Sequence, residues 1–597
     1  MKSNFEIWPG GGSDLHKRRL VREAGRLEQS HCPPVSLEEW KERGLMLREE
    51  LRRRFRVVTE RPALRVEYHS EIACDGYRVC TVTYDSGDGV RVSGNLFIPE
   101  GEGPFPAVLN LHGHWTVGKV AEAVQARGHI LAKHGFVVLS VDAAGAGERG
   151  GGQGWAHYHG AMAGGSILLT GDTLMGWQVR DNIRALDLLT SLRYVDAKRI
   201  GVTGASGGGN QTMWLAALDE RVRTAVLVVS VGSFEAYVTR CNCVCETLPS
   251  GLALAEEWEV LGLIAPRPML IMNSIHDQPA FGLPALAETK KWLRKIYALH
   301  DAWGRLDVRL FDEQHGYKKP MLEALLGWMN HHLKDIGAAL PQESPQWNSL
   351  PEERLLCYPK GEKPESLCYL KNRLALLNVS RKSLTEEVER RRSDLRGLVG
   401  WKISETKEGI RWETQLNEGG FLRGQLLSPR EIPLPIVAGS ARKGGEVRLI
   451  IAEAGKDSAF VKKHWNAAAG VAVSFDLPAT GELAWDDAAV SSARLHNAGR
   501  ACLWLGHTLA AEWAECLAAV AEALQRDFAR VTVVAEGGAA FAALIAGALS
   551  EGAWELEEHD MPPSLESLFH QEEGSYVWIV PGLARWGDLS DLRELKV

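Results

Sequence analysis

The first sixty residues have apolar positions at helical spacing. Leu, Val and Phe recur among dense Arg and Glu over residues 15–60, which is the pattern of an amphipathic helix. Ser36 and Glu39 form a Ser-x-x-Glu capping box, a signal for a helix start. We therefore predict a surface helix here that lies over a later domain and has a structural role.

From Leu64 the hydrophobic period becomes two, and beyond residue 106 buried apolar runs alternate with helical patterns. A period of two predicts antiparallel strands joined by tight turns. These strands are predicted at 66–72, 78–84 and 90–99, with turns at 75–76 and 88–89. Further strands are predicted at 107–111, 137–141, 200–203, 224–230, 268–273 and 308–311, with helices near 121–134, 175–192, 286–299 and 321–333. An antiparallel entry into a doubly wound, mostly parallel sheet predicts the α/β class and the α/β-hydrolase arrangement.

Residues 199–212 predict a nucleophile elbow with Ser206 at its tip. A serine on a strained strand-to-helix turn needs residues without bulk two positions before and after it, and Gly204 and Gly208 stand there. A glycine-rich turn of this kind could also cradle a phosphate. No Lys follows the glycines as a P-loop requires, so the elbow is the favoured interpretation.

The partners of an elbow serine follow in the order acid, then histidine, each just past a strand end. Asp277 follows the predicted strand 268–273, and His315 follows the strand 308–311. His315 would take the proton from Ser206, while Asp277 would fix the imidazole tautomer. Glu246 is the alternative acid, whereas Asp312 is too close to His315 in sequence to orient it.

The oxyanion hole is expected to combine the Gly207 N–H with an N–H from the loop after the strand 107–111, at His114 or Trp115. We assign substrate contacts to Trp155, Arg149 and Glu246. Tryptophans near the site could stack on sugar rings, although core packing is at least as well supported for two of them. Those two are Trp177 and Trp214.

Histidines and cysteines near the predicted site raise the question of a metal. The histidines are His112, His114, His157 and His159, and three cysteines alternate at Cys241, Cys243 and Cys245. The histidines have no matching Cys or carboxylate pattern, and the cysteines lack the spacing of a thioredoxin-type motif. We therefore predict no metal and no cofactor, with the cysteines lining a pocket or lying in the core.

The run from residue 106 to residue 333 resembles the acetyl xylan esterase-like branch of the α/β-hydrolase superfamily, near dienelactone hydrolases and the catalytic domain of prolyl oligopeptidases. The motifs that carry the likeness are 111–114, 142–149, the Ser206 elbow, 265–268, His315-Gly-Tyr and Gly327-Trp. The resemblance implies a serine ester hydrolase that acts on small acyl esters, such as acetylated carbohydrate. Where the family has a Gly- or Ser-rich acid loop, this chain has His276-Asp-Gln-Pro, which leaves the assignment of Asp277 partly open. The alternatives are a prolyl oligopeptidase-like serine peptidase and a non-catalytic scaffold.

The last two hundred residues repeat motifs of the first part. Residues 94–99 match 424–429, residues 138–148 match 472–482, and residues 171–174 match 506–509. Three matches at nearly one offset predict an internal duplication. In this register Gly537 stands where Ser206 stands, and His570 does not restore the chemistry. The second copy is therefore predicted to be a degenerate hydrolase-like domain with a structural, homodimer-forming or substrate-shaping role.

Length, composition and charge bound the other possibilities. A chain of 597 residues exceeds one core, and we predict an N-terminal helical segment (1–62), a catalytic domain (63–335), a linker (336–400) and the degenerate domain (401–597). A net charge of −8 with 24% charged residues favours neither nucleic acid nor membrane as a partner. The expected partner is a small-molecule or oligosaccharide ester. Scattered cysteines and the absence of a signal-like apolar run predict a cytoplasmic protein.

Overall fold

Two mixed β-sheets, each packed against helices, form the framework of the computed structural model. The structure describes residues 5–8, 11–87, 89–150, 162–238, 243–367, 388–402, 409–416, 421–439, 444–485, 493–571 and 573–596. Two helices precede the first sheet, α1 (Ser13–Ser30) and α2 (Leu37–Arg54). Ser36 caps α2 by accepting the Glu39 N–H, while the Glu39 carboxylate accepts the N–H of Val35, so half of the predicted capping box forms.

The first sheet has nine strands in the order β1-β2-β3-β5-β4-β6-β7-β8-β9. Its first three strands are antiparallel, and β3 pairs antiparallel with β5, after which all pairs are parallel. The strands are β1 (Glu67–Cys74), β2 (Tyr77–Gly87), β3 (Val90–Pro99), β4 (Phe105–Leu111), β5 (Val137–Val141), β6 (Val195–Ala205), β7 (Val222–Val228), β8 (Met269–Ser274) and β9 (Leu306–Phe311). This is the predicted antiparallel entry into a parallel sheet.

Helices cover both faces of this sheet. The helices are α3 (Glu122–Lys133), α4 (Met162–Leu169), α5 (Leu174–Ser191), α6 (Gly207–Leu218), α7 (Phe234–Val238), α8 (Gly251–Leu254), α9 (Glu257–Gly262), α10 (Leu283–Leu299) and α11 (Lys319–Lys334). Successive residues of β4 alternate between two hydrophobic clusters, with Leu109 in one and Val108 in the other. A strand buried on both faces reads as a continuous apolar run, which is why β4 and β5 were recognisable in the sequence.

A second sheet of seven strands has the order β10-β11-β12-β14-β13-β15-β16. Its strands are β10 (Arg411–Leu416), β11 (Leu422–Leu427), β12 (Pro433–Ala438), β13 (Gly444–Ala452), β14 (Val471–Phe475), β15 (Phe528–Glu536) and β16 (Glu555–His559). The helices of this part are α12 (Val388–Val399), α13 (Ala459–Ala467), α14 (His496–Trp504), α15 (Leu509–Gln525), α16 (Gly538–Leu549), α17 (Leu583–Trp586) and α18 (Leu589–Leu595). The order of β10 to β16 reproduces that of β1 to β7, with antiparallel and parallel pairs in the same places.

One of the three predicted motif matches is wrong in register. Residues 94–99 lie in β3, which pairs with β5, whereas residues 424–427 lie in β11, which pairs with β10 and β12. The topological equivalent of β3 is β12, because Gly94 stands opposite Val141 and Ile436 stands opposite Phe475. Short half-buried strands have similar patterns, so a brief match can pair neighbouring strands.

The second motif match, between residues 138–148 and 472–482, corresponds to equivalent structures in the two units. Each segment contributes an Asp and a Glu to a buried Lys–Asp–Glu cluster. Lys119 pairs with Asp142 and Glu148 in the first unit. In the second unit Lys456 pairs with Asp476 and Glu482. The Asp142 pKa is lowered by the Lys119 ammonium, while burial acts in the opposite direction. Both clusters tie the loop after one strand to the loop after the next.

The segment between the two sheets is attached to both units. The backbone N–H groups of Cys357 and Tyr358 donate to the Glu148 carboxylate, and Leu355 is fully buried. Arg391 on α12 pairs with Asp591 of the second unit. In its described parts, residues 336–367 and 388–400, the predicted linker therefore packs against the two units.

A continuous hydrophobic cluster runs through both units. Trp504 on α14 is fully buried against Phe234 and Tyr237 of the first unit, with ring centroids 4.9 and 5.9 Å apart. The Ser250 N–H donates to the Leu503 carbonyl at 2.7 Å. The second unit thus packs on the segment after β7, which borders the predicted site. None of the described helices is long and apolar enough to cross a membrane.

Candidate active site

Ser206 lies at the tip of the turn between β6 and α6, with φ 57° and ψ −125°. Its N–H donates to the Val228 carbonyl at 2.9 Å, and its carbonyl accepts the Asn210 N–H at 3.0 Å. A Cβ on Gly204 would lie against the Gly208 carbonyl, and one on Gly208 would lie against the Leu111 carbonyl. Glycine is therefore required at both positions, as the elbow motif predicts.

Gly537 occupies the same turn in the second unit with the same backbone angles, φ 57° and ψ −125°. Its N–H donates to the His559 carbonyl at 2.9 Å, and its carbonyl accepts the Phe541 N–H. The register that aligned Gly537 with Ser206 therefore agrees with the structure. His570 is exposed on a short 3₁₀ turn.

His315 and Asp277 come together from the loops after β9 and β8. His315 Nδ1 lies 2.8 Å from Asp277 Oδ1, and the Asp277 carboxylate is fully buried. The Gln278 N–H donates to the same oxygen at 2.7 Å. The Phe281 ring stacks on the imidazole at 6.2 Å between centroids. These contacts fix the imidazole, and Ser206, Asp277 and His315 line one cavity.

The two other acids considered for this role have different partners. Asp312 Oδ1 lies 2.7 Å from His276 Nε2 and is exposed. Glu246 accepts a hydrogen bond from Asn210 Nδ2 at 3.0 Å, and its Oε1 lies 4.0 Å from His114 Nε2. Of the three acids, Asp277 is therefore the one whose carboxylate contacts the His315 imidazole.

The loop after β4 approaches the elbow closely. A Cβ on Gly113 would lie 2.6 Å from the Ala205 carbonyl oxygen, and one on Gly207 would lie 2.9 Å from His114 Nε2. The Trp115 N–H donates to the Gly113 carbonyl at 2.8 Å. That N–H is used within the loop, so the oxyanion role predicted for Trp115 has no support from this geometry. The roles of Gly207 and His114 stay predictions.

The cavity has a volume of about 530 Å³. Trp115 lies on its wall and is 49% exposed. Burial raises the pKa of Glu246 to about 7, against the effect of nearby charges that include Arg500 of the second unit. The second unit therefore contributes to the electrostatics of this cavity.

Two residues of the cavity wall were missed by sequence reasoning. The Arg127 guanidinium is buried, lies 4.7 Å from the Tyr317 ring and donates to the carbonyls of Ala123 and Leu111. Burial lowers its pKa to about 10. The Tyr317 hydroxyl lies 3.0 Å from Thr203 Oγ1. These contacts hold the loop that carries His315 in place. The sequence signal for this role was the position of Tyr317, two residues after His315.

The remaining predicted substrate contacts lie elsewhere. Arg149 is buried, with Nη1 2.7 Å from an Asp181 oxygen, and is not among the residues that line the cavity. Trp155 lies outside the described residues. Trp177 and Trp214 are buried, Trp214 against Phe55, so both are core residues. The substrate roles of Arg149 and Trp155 stay predictions.

The histidines and cysteines of the sequence separate into two groups. His112 is held by the Gly113 carbonyl at Nδ1 and by the Ala143 N–H at Nε2, so both ring nitrogens are occupied. His114 Nε2 instead faces Cys243 and Cys245, which the structure joins as a disulfide. Burial lowers the pKa of His114 to about 3. His157, His159 and Cys241 lie outside the described residues.

The sheet order, the elbow and the acid–histidine pair define an α/β-hydrolase. The family model for acetyl xylan esterase matches residues 53–237. A putative hydrolase, YtaP, of Bacillus subtilis is 31% identical over 214 residues, which cover 33% of this chain and 68% of that protein. An uncharacterized peptidase of the same organism, YuxL, is 30% identical over 26% of this chain and 22% of its own length. Among solved structures, a methylesterase, BT1017, has a TM-score of 0.48 at 24% identity, covering 60% of this chain and 78% of that one. The chain belongs to the acetyl xylan esterase-like branch of the α/β-hydrolase superfamily.

Proposed function

We propose that the chain is a serine ester hydrolase that acts through an acyl-enzyme on small acyl esters of carbohydrate. The observation that carries the proposal is the 2.8 Å contact between His315 and the buried Asp277, with Ser206 on the same cavity. An elbow serine, a histidine and a buried carboxylate are the three roles that acyl transfer needs.

In the proposed mechanism, Ser206 Oγ attacks the ester carbonyl carbon while His315 Nε2 takes the hydroxyl proton. Asp277 holds the imidazole by its Nδ1–H and stabilises the imidazolium that forms. The Gly207 N–H, at the start of α6, stabilises the negative charge on the carbonyl oxygen. His315 then protonates the leaving alcohol. A water, activated by the same imidazole, releases the acid and regenerates Ser206.

Carbohydrate is the proposed alcohol because the cavity combines an exposed indole with polar side chains. Trp115 offers a ring face at the wall, and aromatic faces pack well against the apolar face of a sugar ring. Glu246 and Gln278 also line the cavity and can bond sugar hydroxyls. Acetyl is the proposed acyl group on the family match. The predicted cytoplasmic location favours oligosaccharides over polymer.

The second unit is proposed to shape this cavity. Trp504 anchors α14 on the segment that leads from β7 to Glu246, and Arg500 influences the Glu246 carboxyl. The second unit has no equivalents of β8 and β9 among the described strands, so it lacks the loops that carry the acid and the histidine. A structural and substrate-shaping role therefore fits it better than catalysis.

Labelling with a fluorophosphonate tests the proposed nucleophile. Wild-type protein is expected to incorporate one probe per chain, and Ser206→Ala none. A screen of acetylated sugars, methyl esters of sugars and prolyl peptides, with Ser206→Ala as the blank, then tests the substrate class. Absence of labelling in wild type, or equal labelling of the variant, contradicts a serine mechanism. Faster turnover of prolyl peptides than of sugar esters would favour the peptidase alternative.

A further inference from the structure

The side chains of one histidine and two cysteines meet at the cavity wall. The proposed ester hydrolysis uses none of these three side chains. His114 Nε2 lies 3.1 Å from Cys243 Sγ and 3.2 Å from Cys245 Sγ. The three atoms lie within 4.8 Å of one another, a grouping that could hold a metal ion. Both cysteines are buried, and Cys243 lines the cavity.

We propose that His114, Cys243 and Cys245, with both cysteines as thiolates, bind one thiophilic divalent cation of the zinc class. Zinc bonds to imidazole nitrogen at about 2.0–2.1 Å and to thiolate sulfur at about 2.3 Å. Ligand atoms that share such an ion in tetrahedral geometry lie roughly 3.5 Å apart. The observed nitrogen–sulfur separations are within a few tenths of an ångström of that spacing. The two sulfurs are bonded to each other in the disulfide, so they must move apart after reduction before the ion can bind.

His114 and Cys243 both line the cavity that Ser206 lines, so an ion held between them borders that cavity. One histidine and two cysteines form a three-ligand set of the kind that catalytic zinc sites use, in which the fourth position stays open to water or substrate. Glu246 Oε1 lies 4.0 Å from His114 Nε2, and Glu246 lines the same cavity. The ion can therefore be reached from the cavity.

The site can bind a cation only when Cys243 and Cys245 are reduced. The structure joins Cys243 and Cys245 as a disulfide, with their Cα atoms 5.5 Å apart. A small dithiol reduces that bond: two electrons pass to the sulfurs, two protons are taken up, and the dithiol becomes its own disulfide. Binding of the cation then displaces the two thiol protons. In the reverse direction the disulfide form of the small dithiol takes up two electrons and two protons, the two protein thiolates form the sulfur–sulfur bond, and the cation is released. The two states therefore exclude each other.

A cation at this site would lie close to the nucleophile elbow and could affect ester hydrolysis. This part of the inference rests on the proposed function. His114 Nε2 lies 2.9 Å from the point where a Cβ on Gly207 would stand. A cation on that nitrogen is therefore beside the Gly207 end of the elbow. There it would attract a carboxylate or hydroxyl oxygen of the substrate, which orients the ester toward Ser206.

Cobalt(II) is the probe for this site, because thiolate-bound cobalt gives ligand-to-metal absorption in the near ultraviolet. The full chain is reduced with dithiothreitol, freed of reductant under nitrogen, and titrated with Co²⁺. We expect one tightly bound Co²⁺ per chain with thiolate absorption, displaced by one equivalent of Zn²⁺. The untreated oxidised protein is expected to show neither signal.

His114→Ala and Cys243→Ser are expected to weaken Co²⁺ binding by more than about tenfold, since each removes one ligand. Cys32→Ser, which removes an exposed free cysteine, is the matched control and should bind as wild type. Circular dichroism checks that each variant is folded, and His114→Ala keeps both sulfurs if the cysteine variant is unstable. The absence of stoichiometric Co²⁺ in reduced wild type, or equal binding by His114→Ala, overturns the site and leaves a structural disulfide only.

These readouts are independent of ester hydrolysis. Cobalt binding is measured without substrate, whereas the proposed function is tested by labelling of Ser206. A protein that binds Co²⁺ but takes no fluorophosphonate would keep the metal site and refute the serine mechanism. A protein that is labelled but binds no cation would do the reverse.

Discussion

Asp277 is the residue on which the orientation of His315 depends. Its buried carboxylate is the hydrogen-bond partner of His315 Nδ1, and a buried acceptor of this kind selects the imidazole tautomer whose Nε2 can take a proton. Without it the ring loses both its preferred tautomer and the charge that stabilises the imidazolium. The chain provides a natural comparison in Asp312, which makes the same type of contact with His276 at an exposed position.

Asp277→Asn should lower kcat for ester hydrolysis by about 10⁴-fold, because the amide favours the wrong tautomer without changing the shape of the site. Steady-state rates on an acetyl ester measure this loss. Asp312→Asn serves as the control and is expected to retain most of the wild-type rate. Comparable losses in the two variants, or a nearly intact Asp277→Asn, would argue against Asp277 as the acid.

Single residues could be predicted from the sequence where the fold fixes them at a strand end. Ser206 and Asp277 follow β6 and β8, which are buried near the site, whereas His315 follows the half-exposed β9, in which apolar and polar residues alternate. The described geometry brings all three residues to one cavity. The contact between His114 and the cysteines, 129 and 131 residues apart, could not be predicted in this way. The segment after β7 has no regular period, so its packing is set by tertiary contacts alone.

At the scale of elements, the two elbow turns have the same backbone geometry, but only the turn of the first unit carries a nucleophile. Both turns have φ 57° and ψ −125°, although one carries a hydroxymethyl group and the other a hydrogen. A positive φ costs a residue with a Cβ on the order of 1–3 kcal/mol, which glycine does not pay. The second unit therefore keeps the turn without its strain.

Gly537→Ser should lower the free energy of unfolding by about 1–3 kcal/mol through this backbone strain. Crowding adds little, because among the described residues only an oxygen of the Glu453 carboxylate, at 3.9 Å, comes within 4 Å of the new Cβ. Urea unfolding followed by fluorescence measures the loss. Gly445→Ser, in open surroundings without a positive φ, is the control. In a Ser206→Ala background the change is expected to restore neither labelling nor hydrolysis; recovery of either would show a working second site.

The boundaries of elements were predictable because strand and helix periods differ. The predicted strand 137–141 agrees with β5, and the helix predicted at 286–299 begins three residues earlier as α10. The mistaken pairing of residues 94–99 with 424–429 shows the limit. A six-residue alternation specifies a strand but not its neighbours, and the neighbours are what topology requires.

At the scale of the whole molecule, α1 links the two units through buried charges. The Glu512 carboxylate of the second unit accepts hydrogen bonds from His16 and His507, each at 2.7 Å, and pairs with Arg19. Burial lowers the pKa of His16 and of His507, while Arg19 and the two imidazoles hold the pKa of Glu512 well below its usual value although burial opposes them. Arg430 also acts on His507.

This cluster should make the fold sensitive to acid. Below the ordinary pKa of 6.5, unfolded His16 binds a proton that the folded protein excludes, so the free energy of unfolding falls with pH from about 6.5 downward. Melting temperatures between pH 7.5 and 5 measure the slope, and His16→Gln is expected to flatten it. The difference between the two profiles isolates His16 from other buried groups. His570→Gln, at an exposed position, should leave the slope unchanged, and parallel profiles for wild type and His16→Gln would contradict the prediction.

The general plan of the molecule was predictable, but the joining of its parts was not. An α/β-hydrolase unit, a second unit of the same strand order and a helix laid over a later domain were all expected from the sequence. The sequence did not predict that residues 5–8 and α1 contact the second unit in particular, since contacts across more than 400 residues leave no periodic pattern.

The attachment of residues 5–8 has a consequence for synthesis on the ribosome. Phe5 and Ile7 pack against Ile450, Val461 and Val534, and the Ile7 N–H donates to Glu482 at a separation of 475 residues. At about 5–20 residues per second, residues 5–8 are made on the order of a minute before the surface that buries them. A nascent chain that has completed its first unit therefore still exposes the aromatic and aliphatic side chains of residues 5–8, and a chaperone that shields short apolar segments would be needed most in that interval.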